Sequence, residues 1–141
     1  MNARADVLVV EDNPADVELM RVTLEDLALP HQLDWVPDGE AALAYLRQIT
    51  PQLVLLDLNM PRLGGLEVLE ALREERLDGA VVVVFSSSAA EQDRQAALAL
   101  GAAAHIIKPV SFDAFSEVFA QVLRTYAPLP ENGAGEESSG P

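Results

Sequence analysis

The sequence predicts an α/β fold, a doubly wound parallel sheet in three layers, and three observations carry that prediction. Short apolar runs alternate five times with amphipathic stretches along the chain. Two of the runs, Leu53–Leu56 and Ala80–Phe85, are apolar throughout, the second with four consecutive valines. Continuous runs of this kind mark strands buried on both faces, as in a parallel sheet. Strict alternation of strand and helix then implies right-handed crossovers, with helices covering both faces.

The five strands are expected at Asp6–Val10, Gln32–Val36, Leu53–Leu56, Ala80–Phe85 and Ala103–Ile107. The first helix starts at Pro14, whose fixed φ suits a first helical position, with Asn13 before it as N-cap. Val17, Met20, Leu24 and Leu27 fall on one of its faces. Asp38 can cap the second helix, which carries Leu43, Leu46 and Ile49. The third is expected over Gly65–Arg76, with Leu66, Leu69 and Leu72 at helical spacing. An Ala-rich fourth runs over Glu91–Leu100 and is stopped by Gly101 at a C-cap. Ser111 opens the fifth, where Phe112, Phe115, Phe119, Val122 and Tyr126 form an apolar stripe read as core packing. After Ala127 the composition shifts to Pro, Gly, Glu and Ser. The division is therefore one domain over residues 1–127 and a mobile tail over 128–141 with little to bury.

The chain has 141 residues, half of them apolar, and a net charge of −14. That acidity argues against direct nucleic-acid binding, which needs clustered Lys and Arg, and against anionic membrane surfaces. No apolar run approaches the roughly 20 residues that span a bilayer, and Met1–Ala5 lacks the apolar stretch of a secretory signal. Without cysteine, neither disulfides nor thiolate metal sites are available, which fits a reducing compartment. A cytoplasmic location is expected. The acidity either keeps the domain soluble or gathers some acids around a divalent cation, and position decides which.

Ligands of doubly wound sheets bind outside the carboxyl ends of the strands. The first expected strand ends in Glu11-Asp12, the third in Asp57, the fourth in Ser86-Ser87-Ser88 and the fifth in Lys108-Pro109. Each has an ordinary explanation when taken alone. Glu11-Asp12 suits a solvated loop in which Asp12 helps to cap the next helix, Asp57 a strand-end acid, Ser86 a turn and Lys108 a surface charge. Together they converge on one edge, where three carboxylates repel one another unless a cation compensates. Oxygen donors without His or Cys suit a hard ion, Mg²⁺ or Mn²⁺. Asp57 would then be a nucleophile towards phosphorus, forming an acyl phosphate. Metal and lysine would neutralise the equatorial oxygens, and a hydroxyl such as Ser86 would bond one of them.

At VLVVEDN (7–13), LVLLDLNMP (53–61), VVVVFSSS (81–88) and HIIKPVS (105–111) the chain resembles the response-regulator receiver family of two-component signalling, across about residues 5–126. The resemblance implies a flavodoxin- or CheY-like sheet of order 2-1-3-4-5 flanked by five helices. It implies phosphorylation of Asp57 by a sensor histidine kinase. It also implies metal ligation by Asp12, Asp57 and the backbone carbonyl of Asn59, with Glu11 assisting through water. Ser86 takes the family's switch position, Lys108 its invariant lysine, and Asn59 and Ser88 lie near the path of the attacking water. Lys108-Pro109 matches the family's cis peptide, and X-Pro bonds alone adopt cis cheaply. His105 stands where many receivers carry a Tyr or Phe that swings inward on activation. A half-exposed strand-end His without a switching role fits that position equally well. Gly64-Gly65 replaces a frequent Asp-Gly, which is expected to change only loop detail.

The words EDNPADVEL, LLDLNMP and FSSSAAEQD look most like single-domain regulators paired with phytochrome-type histidine kinases. Members of that group often pair through the fourth helix, fifth strand and fifth helix, so the resemblance implies a homodimer using Leu98, Phe112 or Phe119. With no DNA-binding or enzymatic domain expected after residue 127, the output would be a protein contact or phosphorelay transfer. A pseudo-receiver scaffold typically lacks an acid or the lysine, and all are present here. An aspartate-nucleophile phosphohydrolase usually carries a second carboxylate two positions on, where this chain has Asn59. No Gly-rich nucleotide-binding word occurs. A phosphorylation-controlled switch, not an enzyme beyond self-phosphorylation and autodephosphorylation, is the expected function.

Overall fold

The computed structural model describes residues 6–128. Five strands alternate with five helices: β1 (Val7–Val10), α1 (Pro14–Asp26), β2 (Leu33–Val36), α2 (Gly39–Leu46), β3 (Leu53–Leu56), α3 (Gly65–Glu74), β4 (Val81–Ser86), α4 (Glu91–Ala99), β5 (Ala104–Ile107) and α5 (Phe112–Tyr126). All strand pairs are parallel, in the order β2-β1-β3-β4-β5. The expected fold class and strand order are both observed.

Period-2 side-chain alternation splits the central strands between two apolar layers. Leu8, Val10, Val54, Leu56, Val82 and Val84 pack with Leu43, Val68 and Leu69 of α2 and α3. Val7, Val9, Leu53, Leu55, Val83 and Phe85 pack with Met20 of α1 and Phe115, Phe119 and Leu123 of α5. β1 and β3 are buried at every position, as their unbroken apolar runs require. Edge strands β2 and β5 are only partly covered, and Trp35 and Ile107 are exposed on them.

The caps follow the sequence. Asn13 accepts from Ala15 N at 3.0 Å, Asp38 from Ala41 N at 2.9 Å and Ser111 from Ala114 N at 3.2 Å. α3 ends two residues short of the expected Arg76, which takes a left-handed φ of 59° that no helix continues through. Gly101, at φ 109°, stops α4 as expected, although the last helical residue is Ala99.

Four expectations are corrected. Leu27 caps α1 and is exposed, because the helix has ended before it could face the core. Phe112 is the first residue of α5 and is exposed, one turn ahead of the packed stripe. Phe119, expected as an interface candidate, is fully buried against the sheet and has no surface to offer a second copy. The Lys108–Pro109 bond is trans, the isomer that X-Pro favours by about 0.5–1 kcal/mol. Apart from Pro128, the expected tail lies outside the described residues.

Candidate functional site

Strand register builds the site. Val10 stands opposite Leu56, and Leu56 opposite Val84, so the residues that follow them emerge side by side. The ladder extends one step beyond the strands: Asp57 N donates to Val10 O at 3.0 Å and Glu11 N to Val36 O at 3.1 Å. Lys108 N donates to Ser86 O at 2.9 Å and sets the lysine at the same edge.

Carboxylate oxygens of Glu11, Asp12 and Asp57 all lie within 4.8 Å of one another. Glu11 and Asp57 are buried, whereas Asp12 faces solvent. Backbone amides hold the two buried groups: Asn13 N donates to Glu11 Oε2 at 3.1 Å and Asn59 N to Asp57 Oδ1 at 3.2 Å. The Lys108 ammonium donates to Glu11 Oε1 at 2.6 Å and Asp16 Oδ2 at 2.7 Å, and stands 3.6 Å from Asp57 Oδ2.

One ammonium among four carboxylates leaves the site with excess negative charge. Burial pushes the Glu11 carboxyl up from 4.5 to about 7; Lys108 opposes that rise and the Asp57 charge adds to it. Burial alone would lower the Lys108 ammonium, but hydrogen bonds to Asp16 and Glu11 outweigh it and hold it above its usual value. Lysine therefore remains the charged partner, and Glu11 bears the cost, chiefly of burial. A hard divalent cation fits this donor set, because the three carboxylates offer oxygen only and stand close enough to share one ion.

Of the expected switch and tuning residues, Asn59 and Ser86 are tied to this centre, through Asp57 and Lys108 respectively. Ser86 ends β4 fully buried, and its Oγ accepts from Ser88 N at 3.3 Å. The Ser88 hydroxyl donates to Asp93 Oδ2 of α4 at 2.7 Å. Asn59 is exposed beside Asp57. His105, in the middle of β5 opposite Val84, is half-buried, and its Nε2 has no partner among the described residues. The Gly64-Gly65 pair matters for more than loop detail. A Cβ on Gly65 would lie 2.4 Å from Asp57 O and 2.8 Å from Leu58 Cα, so only glycine lets α3 start against this loop.

Two contributors were not foreseen from the sequence. Asp16, in the first turn of α1, shares Lys108 with Glu11. Its place in the first turn of the helix that follows Glu11-Asp12 is the signal that was available. Trp35, on β2, donates its indole N–H to Glu11 O at 2.7 Å; no local pattern points to that contact.

A family model described as the response regulator receiver domain matches residues 7–120. The chain belongs to the response-regulator receiver family. Receiver domains of two-component response regulators act in phosphorylation-based signalling, and this one is 39% identical over 114 residues to the probable methanogenesis regulatory protein FilR2 of Methanothrix harundinacea, covering 76% of this chain and 74% of that protein. It also matches the autoinducer 2 sensor kinase/phosphatase LuxQ of Vibrio harveyi at 30% identity over 85% of this chain, but spans only 14% of that protein. Among solved structures, the phosphorylated cyanobacterial phytochrome response regulator RcpA superposes with a TM-score of 0.79 at 32% identity, covering 88% of this chain and 94% of that one. The Mn²⁺-bound form of response regulator Rcp1 gives a TM-score of 0.78 at 30% identity, covering 88% and 95%. This receiver domain therefore shares its architecture with a phosphorylated relative and a metal-bound one. Among the described residues, no helix is long and apolar enough to cross a membrane.

Proposed function

We propose that this receiver domain accepts a phosphoryl group on Asp57 from a sensor histidine kinase, in a divalent-metal-dependent reaction, and signals through protein contacts. The observation that carries the reading is the buried Asp57 carboxylate flanked by Glu11 and Asp12, with the Lys108 ammonium 3.6 Å away. Asp57 Oδ attacks phosphorus in line, a P–O bond forms, and the bond to the donor's leaving atom breaks. Lys108 is placed to neutralise charge gathering on the equatorial oxygens. Mg²⁺ or Mn²⁺ held by Asp12, Asp57 and the Asn59 carbonyl, with Glu11 assisting through water, would supply the remaining positive charge.

Ser86 is the switch: its hydroxyl leaves the Ser88 amide to bond a phosphoryl oxygen and biases an inactive–active equilibrium. Asn59 and Ser88 tune the return by hydrolysis, Asn59 beside the acyl phosphate and Ser88 from the loop leading to α4. His105 stands on β5 at the readout position in place of the usual Tyr or Phe, on the α4–β5 surface that changes with Ser86. Beyond gaining and losing its own phosphoryl group, the domain carries out no catalysis.

Its output is a protein contact. Leu98, Ile107, Val110 and Phe112 are exposed along α4, β5 and the start of α5, a surface suited to a downstream partner or a homodimer. The likeness to RcpA supports a phytochrome-type kinase as the donor. The acidity argues against nucleic acid and anionic membranes as direct partners and fits a cytoplasmic site of action. Incubation with acetyl phosphate and Mg²⁺ should add one phosphoryl mass to the intact protein, and omitting the metal should abolish the gain. An Asp57→Asn variant that still gained that mass would overturn the assignment.

A further inference from the structure

Lys108 is bonded more closely to Glu11 and Asp16 than to Asp57, the residue it serves in the proposed reaction. A lysine ammonium has three N–H donors and no acceptor. Two are committed to the bonds of 2.6 Å to Glu11 and 2.7 Å to Asp16, leaving one for the side where Asp57 stands at 3.6 Å. Both short contacts are charge-assisted, and the Lys108 side chain is only 10% exposed, so solvent does little to weaken them.

The two acceptors differ in a way that separates their roles. Glu11 belongs to the three-carboxylate group with Asp12 and Asp57, and Asp16 lies outside it. A cation held by Asp12 and Asp57 draws on Glu11 through its water and so competes with the ammonium for that carboxylate, whereas Asp16 serves the ammonium from outside the group. Asp16 is also well fixed: its amide donates to Asn13 O at 3.1 Å in the capped first turn of α1. Its side chain is 19% exposed, unlike an ordinary solvated helix-start acid.

We propose that Asp16 is the positioning residue for Lys108, keeping the ammonium at the rim of the acidic group while Asp12 and Asp57 hold a divalent cation that Glu11 assists through water. This rests on the metal site of the proposed function and not on the identity of the phosphoacceptor. Without Asp16, the ammonium has only members of the cation's own donor set to bind, and lysine and metal become competitors. A first-turn acid that merely complements the helix dipole stabilises α1 and has no such coupling.

The test is Mn²⁺ binding by calorimetry to the full chain, with no phosphodonor present. Asp16→Asn should weaken Mn²⁺ about five- to tenfold, the effect of losing one hydrogen bond to a charged group. Asp16→Glu should restore most of the affinity. In a Lys108→Met background the same Asp16→Asn change should alter affinity by less than about twofold, because the effect passes through the ammonium. Unchanged affinity in Asp16→Asn, or equal weakening in both backgrounds, overturns the proposal, the second outcome showing plain loss of a nearby negative charge. With acetyl phosphate at saturating Mg²⁺, Asp16→Asn should also gain phosphoryl mass about tenfold more slowly than wild type, and an unchanged rate counts against it. Wild-type protein that gained no phosphoryl while the Mn²⁺ cycle behaved as expected would remove the proposed function and leave the positioning role standing.

Discussion

Trp35 donates its indole N–H to the carbonyl oxygen of Glu11 at 2.7 Å, tying edge strand β2 to the acidic turn after β1. Trp35 is the chain's only tryptophan, so its fluorescence reports on that turn. Mg²⁺ addition should change the emission of wild type and leave that of Asp12→Asn largely unchanged at the same concentration. Trp35→Phe keeps the ring but loses the donor, and should weaken Mg²⁺ binding by about threefold to tenfold, measured by calorimetry. An affinity equal to wild type would reduce the contact to edge packing.

Glu11 should titrate far above an ordinary carboxyl in metal-free protein. Its value rises from 4.5 to about 7 in the fold, so folding favours the protonated form. Its contribution to stability is therefore fully present below about pH 4.5 and is lost as pH rises through about 7. Carboxyl ¹³C NMR should show the Glu11 midpoint near 7, and Asp57→Asn should lower it by removing a neighbouring negative charge. A midpoint near 4.5 would show that the site is wetter than its packing implies.

Gly65→Ala should disrupt the site from its backbone side. The added Cβ would meet Asp57 O at 2.4 Å and Leu58 Cα at 2.8 Å, neither of which can move without shifting the loop. A loss of about 1–3 kcal/mol in urea unfolding is expected, together with slower phosphorylation by acetyl phosphate. Gly101→Ala should leave phosphorylation intact: its added Cβ meets nothing within 4 Å, and the left-handed φ of 109° confines the cost to stability.

The aromatic residues of α5 should divide sharply. Phe119→Ala opens a void in the layer between α5 and the sheet and should cost about 3–5 kcal/mol. Phe112→Ala removes an exposed ring and should change stability by less than about 0.5 kcal/mol. If the α4–β5–α5 face pairs two copies, the same Phe112→Ala change should weaken self-association in analytical ultracentrifugation of the phosphorylated chain. A wild-type monomer at high concentration, with and without an acyl-phosphate mimic, would count against the homodimer.

Local chemistry made much of this protein legible from the sequence. Apolar runs located all five strands to within a residue or so. β1 and β3 are buried throughout and leave no room for polar positions. Edge strands β2 and β5 keep enough apolar residues around Asp34 and His105 to be seen. Asn13, Asp38 and Ser111 marked helix starts through the amides they cap, and Gly101 marked a stop through its left-handed φ. Glu11, Asp12, Asp57, Ser86 and Lys108 were legible because a parallel sheet gathers strand ends at one edge. Tertiary structure decided the rest. Leu27 and Phe112 share the apolar spacing of their helices, but where a helix ends determines whether a side chain meets the core. Asp16 and Trp35 enter the site through contacts with Lys108, 92 positions away, and Glu11, 24 positions away. Such contacts depend on where β5 delivers Lys108 relative to α1 and how β2 lies against β1. The composition states that acids are in excess; only packing shows that one buried ammonium must serve three of them, which sets Asp16 apart from the acids around it.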